Sequence, residues 1–140
     1  MAEKSFNQVF KGYYLERDLA SIPSDSGVYG IYRCIHNKSK NTVSLKALLY
    51  IGKGDNLIDR LSKHEDWEEW RDELKENELI CISYTLVEKQ YNERVEAALI
   101  NSNQPLLNVV YTNSFPFDKT SVSCSGSHEF IKSENIVDRH

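Results

Sequence analysis

Residues 47–57 read Ala47-Leu48-Leu49-Tyr50-Ile51-Gly52-Lys53-Gly54-Asp55-Asn56-Leu57. The first five form an apolar run of strand length, and the run ends where Gly52-Lys53-Gly54 turns the chain. Asp55 then stands where a helix of about Asp55 to His64 needs an N-cap. Arg60 and His64 are four residues apart and so share one face of that helix, while Leu57 and Leu61 form the neighbouring stripe that faces a core. Lys53 sits at the glycine turn, where backbone can approach a ligand closely. A phosphate suits such a group of donors. The same spacing also describes an ordinary solvated helix face.

Working outward, Ile22-Pro23-Ser24-Asp25-Ser26-Gly27 is a turn-rich break, and Val28 to Ile35 alternates as a strand does. His36 to Asn41 reads as a polar loop, and Val43 to Ile51 as the second strand. Upstream, residues 7–20 read as a short helix with Val9, Phe10, Tyr13 and Tyr14 as its apolar cluster. Downstream, Trp67 to Asn77 reads as a helix with Trp67, Trp70 and Leu74 on one side. Leu79 to Val87 is a third strand, Asn92 caps a helix from Glu93 to about Ser102, and Pro105 stops it. The order β-β-α-α-β-α predicts an α+β fold: a small three-stranded mixed or antiparallel sheet flanked by helices. The Ser-rich tail from Thr112 is either loose or docks Glu129 to Val137 as a last short element.

The 140 residues suit one domain, and 40% hydrophobic with 27% charged residues excludes a disordered chain. No apolar run approaches the roughly 20 residues that span a bilayer, so a membrane is not an expected partner. The stretch MAEKSFNQVF lacks the apolar segment of a secretory signal. Three widely spread cysteines, Cys34, Cys81 and Cys124, predict free thiols in a reducing cytoplasm. Cys124, His128 and His140 lack the paired spacing of a zinc site.

The net charge of -4 sits awkwardly with nucleic-acid binding, but it is unevenly spread. Glu65 to Glu78 holds eight acids and two bases, a net of -6, which leaves +2 for the rest. Asn37 to His64 holds six bases and two acids, a net of +4. The acidic stretch reads as a solvated helix face.

Glu96 is the one charged residue in Val95-Glu96-Ala97-Ala98-Leu99-Ile100. A carboxylate at the edge of a buried stripe requires compensation, from a structural partner such as an arginine or from a divalent metal. Tyr29 and Tyr50 lie in short strands beside glycines, where tyrosines ordinarily pack their rings.

These signals combine into one pattern. The chain resembles the GIY-YIG nuclease superfamily, which includes cleavage domains of excision-repair nucleases, homing endonucleases and some restriction enzymes. Ser26-Gly27-Val28-Tyr29 is similar to its first motif and Tyr50-Ile51-Gly52 to its second. Arg60 and His64 match the arginine and histidine of the following helix. Glu96 with Leu99-Ile100 matches the metal-binding glutamate, and Pro105 with Asn108 the closing P-x-x-N. The resemblance covers residues 22–110 as a nuclease core, with 111–140 as a C-terminal extension of a single 1–140 domain. A second GIY at Gly30-Ile31-Tyr32 makes Tyr32 a rival to Tyr29. The hydrophilic segment His36 to Leu45 reads as an insertion in the first hairpin.

The resemblance implies an endonuclease that hydrolyses DNA phosphodiester bonds with Mg²⁺ or Mn²⁺. Glu96 would hold the metal, Tyr29 would activate or orient water, and Arg60 would neutralise the phosphate. Tyr50 and His64 would complete the hydrogen-bond network, and Lys53 would contact the substrate. Gly27, Gly52 and Asn108 would be structural. The alternative is a non-catalytic or regulatory nucleic-acid-binding module, favoured by the acidic charge and by the lack of an evident separate DNA-binding domain.

Overall fold

The computed structural model describes residues 2–140. Six strands form one mixed sheet: β1 (Lys4–Leu15), β2 (Gly27–Asn37), β3 (Thr42–Gly54), β4 (Leu79–Leu86), β5 (Thr120–Gly126) and β6 (Glu134–Val137). Their order across the sheet is β3-β2-β4-β1-β5-β6, and the sheet curls into a half-barrel. The helices are few and short: α1 (Leu57–Ser62), α2 (Trp67–Asp72) and α3 (Asn92–Asn103). The expected three-stranded sheet flanked by helices is therefore corrected. The three expected strands are neighbours, β3-β2-β4, but they make up half of a larger sheet.

The other half comes from segments read otherwise. Residues 7–20 are not a helix: β1 is followed by a 3₁₀ turn over Glu16–Ser21. Gln8 and Phe10 are buried between exposed Asn7, Val9 and Lys11, a period of two rather than 3.6. The hydrogen-bond partners that select the strand lie far along the chain. β1 runs antiparallel to β4, with Tyr14 opposite Ile82, and parallel to β5, with Phe6 opposite Val122. The tail is ordered into β5 and β6, which pair antiparallel. Val122 and Cys124 point inward between serines, a weak alternation that polar composition masks.

Of the expected loop His36 to Asn41, Lys38 to Asn41 form the turn, while His36 and Asn37 extend the strand. The β2–β3 hairpin stays paired out to Asn37 opposite Thr42, with Asn41 at φ 50° closing the turn.

β2 is buried on both faces, so its apolar run is nearly continuous. Tyr29 and Ile31 face one core with Leu57, Leu61 and Trp70 of α1 and α2. Val28, Tyr32 and Cys34 face the other, with Val95, Ala98 and Leu99 of α3 and with Val122, Ile131 and Val137 of the tail. Ile31 pairs with Tyr50 and Tyr32 with Leu48, which leaves Leu49 as the extra residue of a β-bulge. The bulge puts Leu49 and Tyr50 together on the α1–α2 face.

The outer edge of β3 is covered by the segment after α3. Leu107 N–H donates to the Leu49 carbonyl at 2.8 Å. The Asn108 side chain mimics a strand residue: its amide donates to the Ile51 carbonyl and its oxygen accepts from Ile51 N–H, both at 2.9 Å. No helix is long and apolar enough to cross a membrane among the described residues.

Candidate functional site

β2 and β3 carry the two tyrosines. Tyr29 lies opposite Gly52 across the hairpin, and a side chain at Gly52 would fall on the Tyr29 hydroxyl and touch the Tyr50 ring. Glycine is required there by close approach. A side chain at Gly27 would strike the Thr85 carbonyl of β4 and Leu57 of α1, so that glycine lets strand and helix pack. The Tyr29 and Tyr50 rings stand 6.3 Å apart between centroids. Tyr32 faces the opposite core, where its hydroxyl meets Ser83 Oγ at 3.1 Å, so the rival tyrosine is outside the site.

α1 supplies Arg60, and the turn after it supplies His64. The cap of α1 is Asn56, whose side chain accepts the Asp59 N–H at 3.0 Å. Asp55 is engaged elsewhere, by Asn92. The His64 ring is buried beside Tyr29 at 6.2 Å, Tyr50 at 5.8 Å and Trp70 at 4.5 Å. Its Nδ1 accepts the Asp66 N–H at 3.0 Å, so Nε2 carries the proton of the neutral ring. That Nε2–H is buried with no acceptor among the described residues. Burial, reinforced by the nearby Arg60 charge, lowers the His64 pKa and keeps the ring neutral.

Arg60 reaches the two tyrosines electrostatically, but its guanidinium is held by Glu65 through bonds of 2.9 and 3.2 Å. That pairing holds the Glu65 carboxyl down at about 2.

α3 packs on the sheet face opposite α1 and α2, and Glu96 shares a cleft with Tyr50 beside the covered edge of β3. There a cleft of about 510 Å³ is lined by Tyr50, Lys53, Asp66, Glu69, Glu93 and Glu96, with the Leu107–Tyr111 segment as its rim. No Lys, Arg or His nitrogen lies within 4.0 Å of the Glu96 carboxylate among the described residues. The arginine partner considered for it is thus absent there. Burial raises the Glu96 carboxyl to about 7, with Lys53 opposing and Glu93 reinforcing the shift. Its charge also acts on both tyrosines. Burial pushes the Tyr29 hydroxyl far above its usual range and that of Tyr50 up to about 12, so both are neutral phenols at neutral pH.

Tyr50, Lys53 and Glu96 thus share the cleft, Tyr29 and His64 pack against Tyr50 behind it, and the Arg60 charge acts on Tyr29, Tyr50 and Glu96. Gly27, Gly52 and Asn108 shape the backbone beneath them. Several residues of this neighbourhood went unread in the sequence. Glu65, Asp66 and Glu69 belong to the stretch taken for a solvated helix face, yet they clamp Arg60 or line the cleft. Glu93 lies three residues before Glu96, a helical neighbour, and accepts the Tyr111 hydroxyl at the rim. Trp70, read as core, is the floor under His64 and Tyr50. Comparison of the chain with protein-family models, with curated proteins and with solved structures finds no match.

Proposed function

We propose that this chain is a metal-dependent endonuclease of the GIY-YIG type, hydrolysing phosphodiester bonds of DNA. The observation that carries this reading is a cleft lined by Tyr50, Lys53 and the unpaired Glu96, with Tyr29 and the buried His64 packed against Tyr50 and the Arg60 charge acting on Tyr29, Tyr50 and Glu96. These residues are scattered from position 29 to position 96, and packing alone does not require them to meet. Glu96 would hold a Mg²⁺ or Mn²⁺ ion, and the surrounding Asp66, Glu69 and Glu93 oxygens are of the hard type such ions take. When bound, the metal polarises the scissile phosphate and stabilises the leaving oxygen.

The chain's own groups have distinct parts. Arg60 neutralises a phosphate once Glu65 lets go of it. Lys53 meets the backbone at the cleft mouth. Tyr29, held neutral by burial, orients the attacking water as a hydrogen-bond partner rather than taking its proton. Tyr50 and the free Nε2–H of His64 complete a set of preorganised donors. The three free, buried thiols fit a reducing cytoplasm.

Incubation with supercoiled plasmid and Mg²⁺ or Mn²⁺ tests this. Nicking is expected, and Glu96→Gln is expected to remove it while the chain still unfolds in one cooperative transition. Cleavage that continues undiminished in excess chelator rejects the reading. A second reading, a nucleic-acid-binding regulatory module without turnover, is favoured by the Arg60–Glu65 clamp and by the acids lining the cleft. It predicts a gel shift with no nicking at any metal concentration.

A further inference from the structure

We propose that Asn92 is a positioning residue: its one side-chain amide ties the start of α3 to both strand motifs and so sets Glu96 in the cleft. This rests on the reading of Glu96 as a metal ligand. Asn92 is buried, and its Nδ2 donates to Ser26 Oγ at 3.0 Å and to Asp55 Oδ1 at 2.8 Å. Ser26 immediately precedes Gly27-Val28-Tyr29, and Asp55 immediately follows Gly52-Lys53-Gly54. Both protons of one amide are thus used to bridge the two stretches that deliver Tyr29 and Tyr50.

Asn92 and Glu96 are four residues apart in α3, on one face and one turn from each other. Fixing the first turn therefore fixes both the rotation and the axial position of Glu96. An asparagine at a helix start ordinarily bonds its own backbone. Here the N-cap is Tyr91, which makes no side-chain cap bond, and the Asn92 amide is committed across the molecule. Asp55 is held from a second side by Lys89 at 3.7 Å. Arg94 anchors the opposite side of the helix, donating to Thr120 Oγ1 at 2.8 Å and to the carbonyls of Ala2, Asp118 and Lys119. Arg94 thus secures α3 to β5 and the N-terminus, while Asn92 alone of the two faces the motifs.

The test is Mn²⁺ titration calorimetry with single-turnover plasmid nicking on the wild type, Glu96→Gln, Asn92→Asp and the double exchange Asp55→Asn with Asn92→Asp. Asn92→Asp sets a carboxylate against Asp55, and Mn²⁺ affinity is expected to fall about 10- to 100-fold, as when the partner that orients a metal ligand is lost. The double exchange conserves charge and reverses the bond: the amide at position 55 donates to the carboxylate at position 92, and the Ser26 hydroxyl turns to donate. Affinity and nicking rate are expected to return to within about threefold of the wild type, a recovery that a merely structural loss would not show.

Unchanged Mn²⁺ affinity in folded Asn92→Asp overturns the proposal, as does a folded double exchange that fails to recover. If Asn92→Asp does not fold, Asp55→Ala, at a half-exposed side chain, carries the same question. Mn²⁺ binding weaker than wild type is expected there, and unchanged affinity overturns the proposal. If wild type and Glu96→Gln titrate alike, the metal reading of Glu96 fails, and the positioning role with it. That outcome is distinct from Glu96-dependent binding to which Asn92 is indifferent.

Discussion

Arg60 and Glu65 form a two-bond pair on an exposed helix end, and a phosphate must compete with it. Glu65→Gln keeps the shape and removes the competing charge. DNA affinity is expected to rise by a few-fold, roughly 3- to 10-fold at low ionic strength, with the gain fading as salt is added. Fluorescence anisotropy with a short duplex measures it, and no gain at low salt would mean the clamp does not compete. The Glu96 carboxyl titrates at about 7 instead of 4.5 because it is buried. Between those two values the folded chain holds a proton that the unfolded chain has released. Stability therefore falls as pH rises through that window, while affinity for a divalent ion rises until about pH 7 and then levels. Thermal melts in chelator across the window should show the wild type losing stability relative to Glu96→Gln. Parallel curves for the two proteins would remove Glu96 as the source.

At the level of elements, the site depends on how the edge of β3 is finished. The bulge at Leu49 turns Tyr50 toward Tyr29, and Asn108 then pins Ile51 from outside by two bonds. Asn108→Ala leaves the Ile51 amide and carbonyl without these partners and is expected to destabilise the fold by about 1–3 kcal/mol. Hydrogen exchange should show the Ile51 amide losing protection while that of Ile82, in the central strand β4, keeps it. Equal loss at both would mean global loosening, and no loss at Ile51 would mean water replaces Asn108 without cost. α1 was readable as an element because Leu57 and Leu61 form its buried stripe. Its cap was misassigned by one residue because Asp55 and Asn56 are both good caps. Only the packing of α3 shows that Asp55 is engaged elsewhere.

For the whole molecule, the tail is part of the sheet rather than an appendage. β5 lies against β1, and Phe115, Val122, Ile131 and Val137 complete the core over α3. Burying each such side chain contributes about 1.5–3 kcal/mol, against a net stability of only about 5–15 kcal/mol for a typical domain. Ending the chain at Tyr111 removes all four, uncovers the β1 edge and strips the Arg94 side chain of its Thr120, Asp118 and Lys119 acceptors. The shortened chain is expected to lose cooperative thermal unfolding, measured by circular dichroism. A sharp transition in it would show that residues 2–111 fold by themselves.

Features that depend on near neighbours along the chain are legible in the residue pattern. The β2–β3 hairpin, the glycine turn, α1 and α3 follow from alternation, turn residues and helical spacing, and those elements carry Tyr29, Tyr50, Arg60 and Glu96. The rest depends on partners that are distant in the chain. β1 became a strand because β4 and β5 offer it backbone partners, and the serine-rich tail became strands because β1 does the same. Tyr29 was separated from Tyr32 by which face of β2 each occupies, with the α1–α2 core on one side and the α3 core on the other. The acidic stretch looked solvated because spacing records neighbours along a helix. Where its carboxylates end up, on Arg60 and in the cleft, is set by contacts between elements that local pattern does not encode.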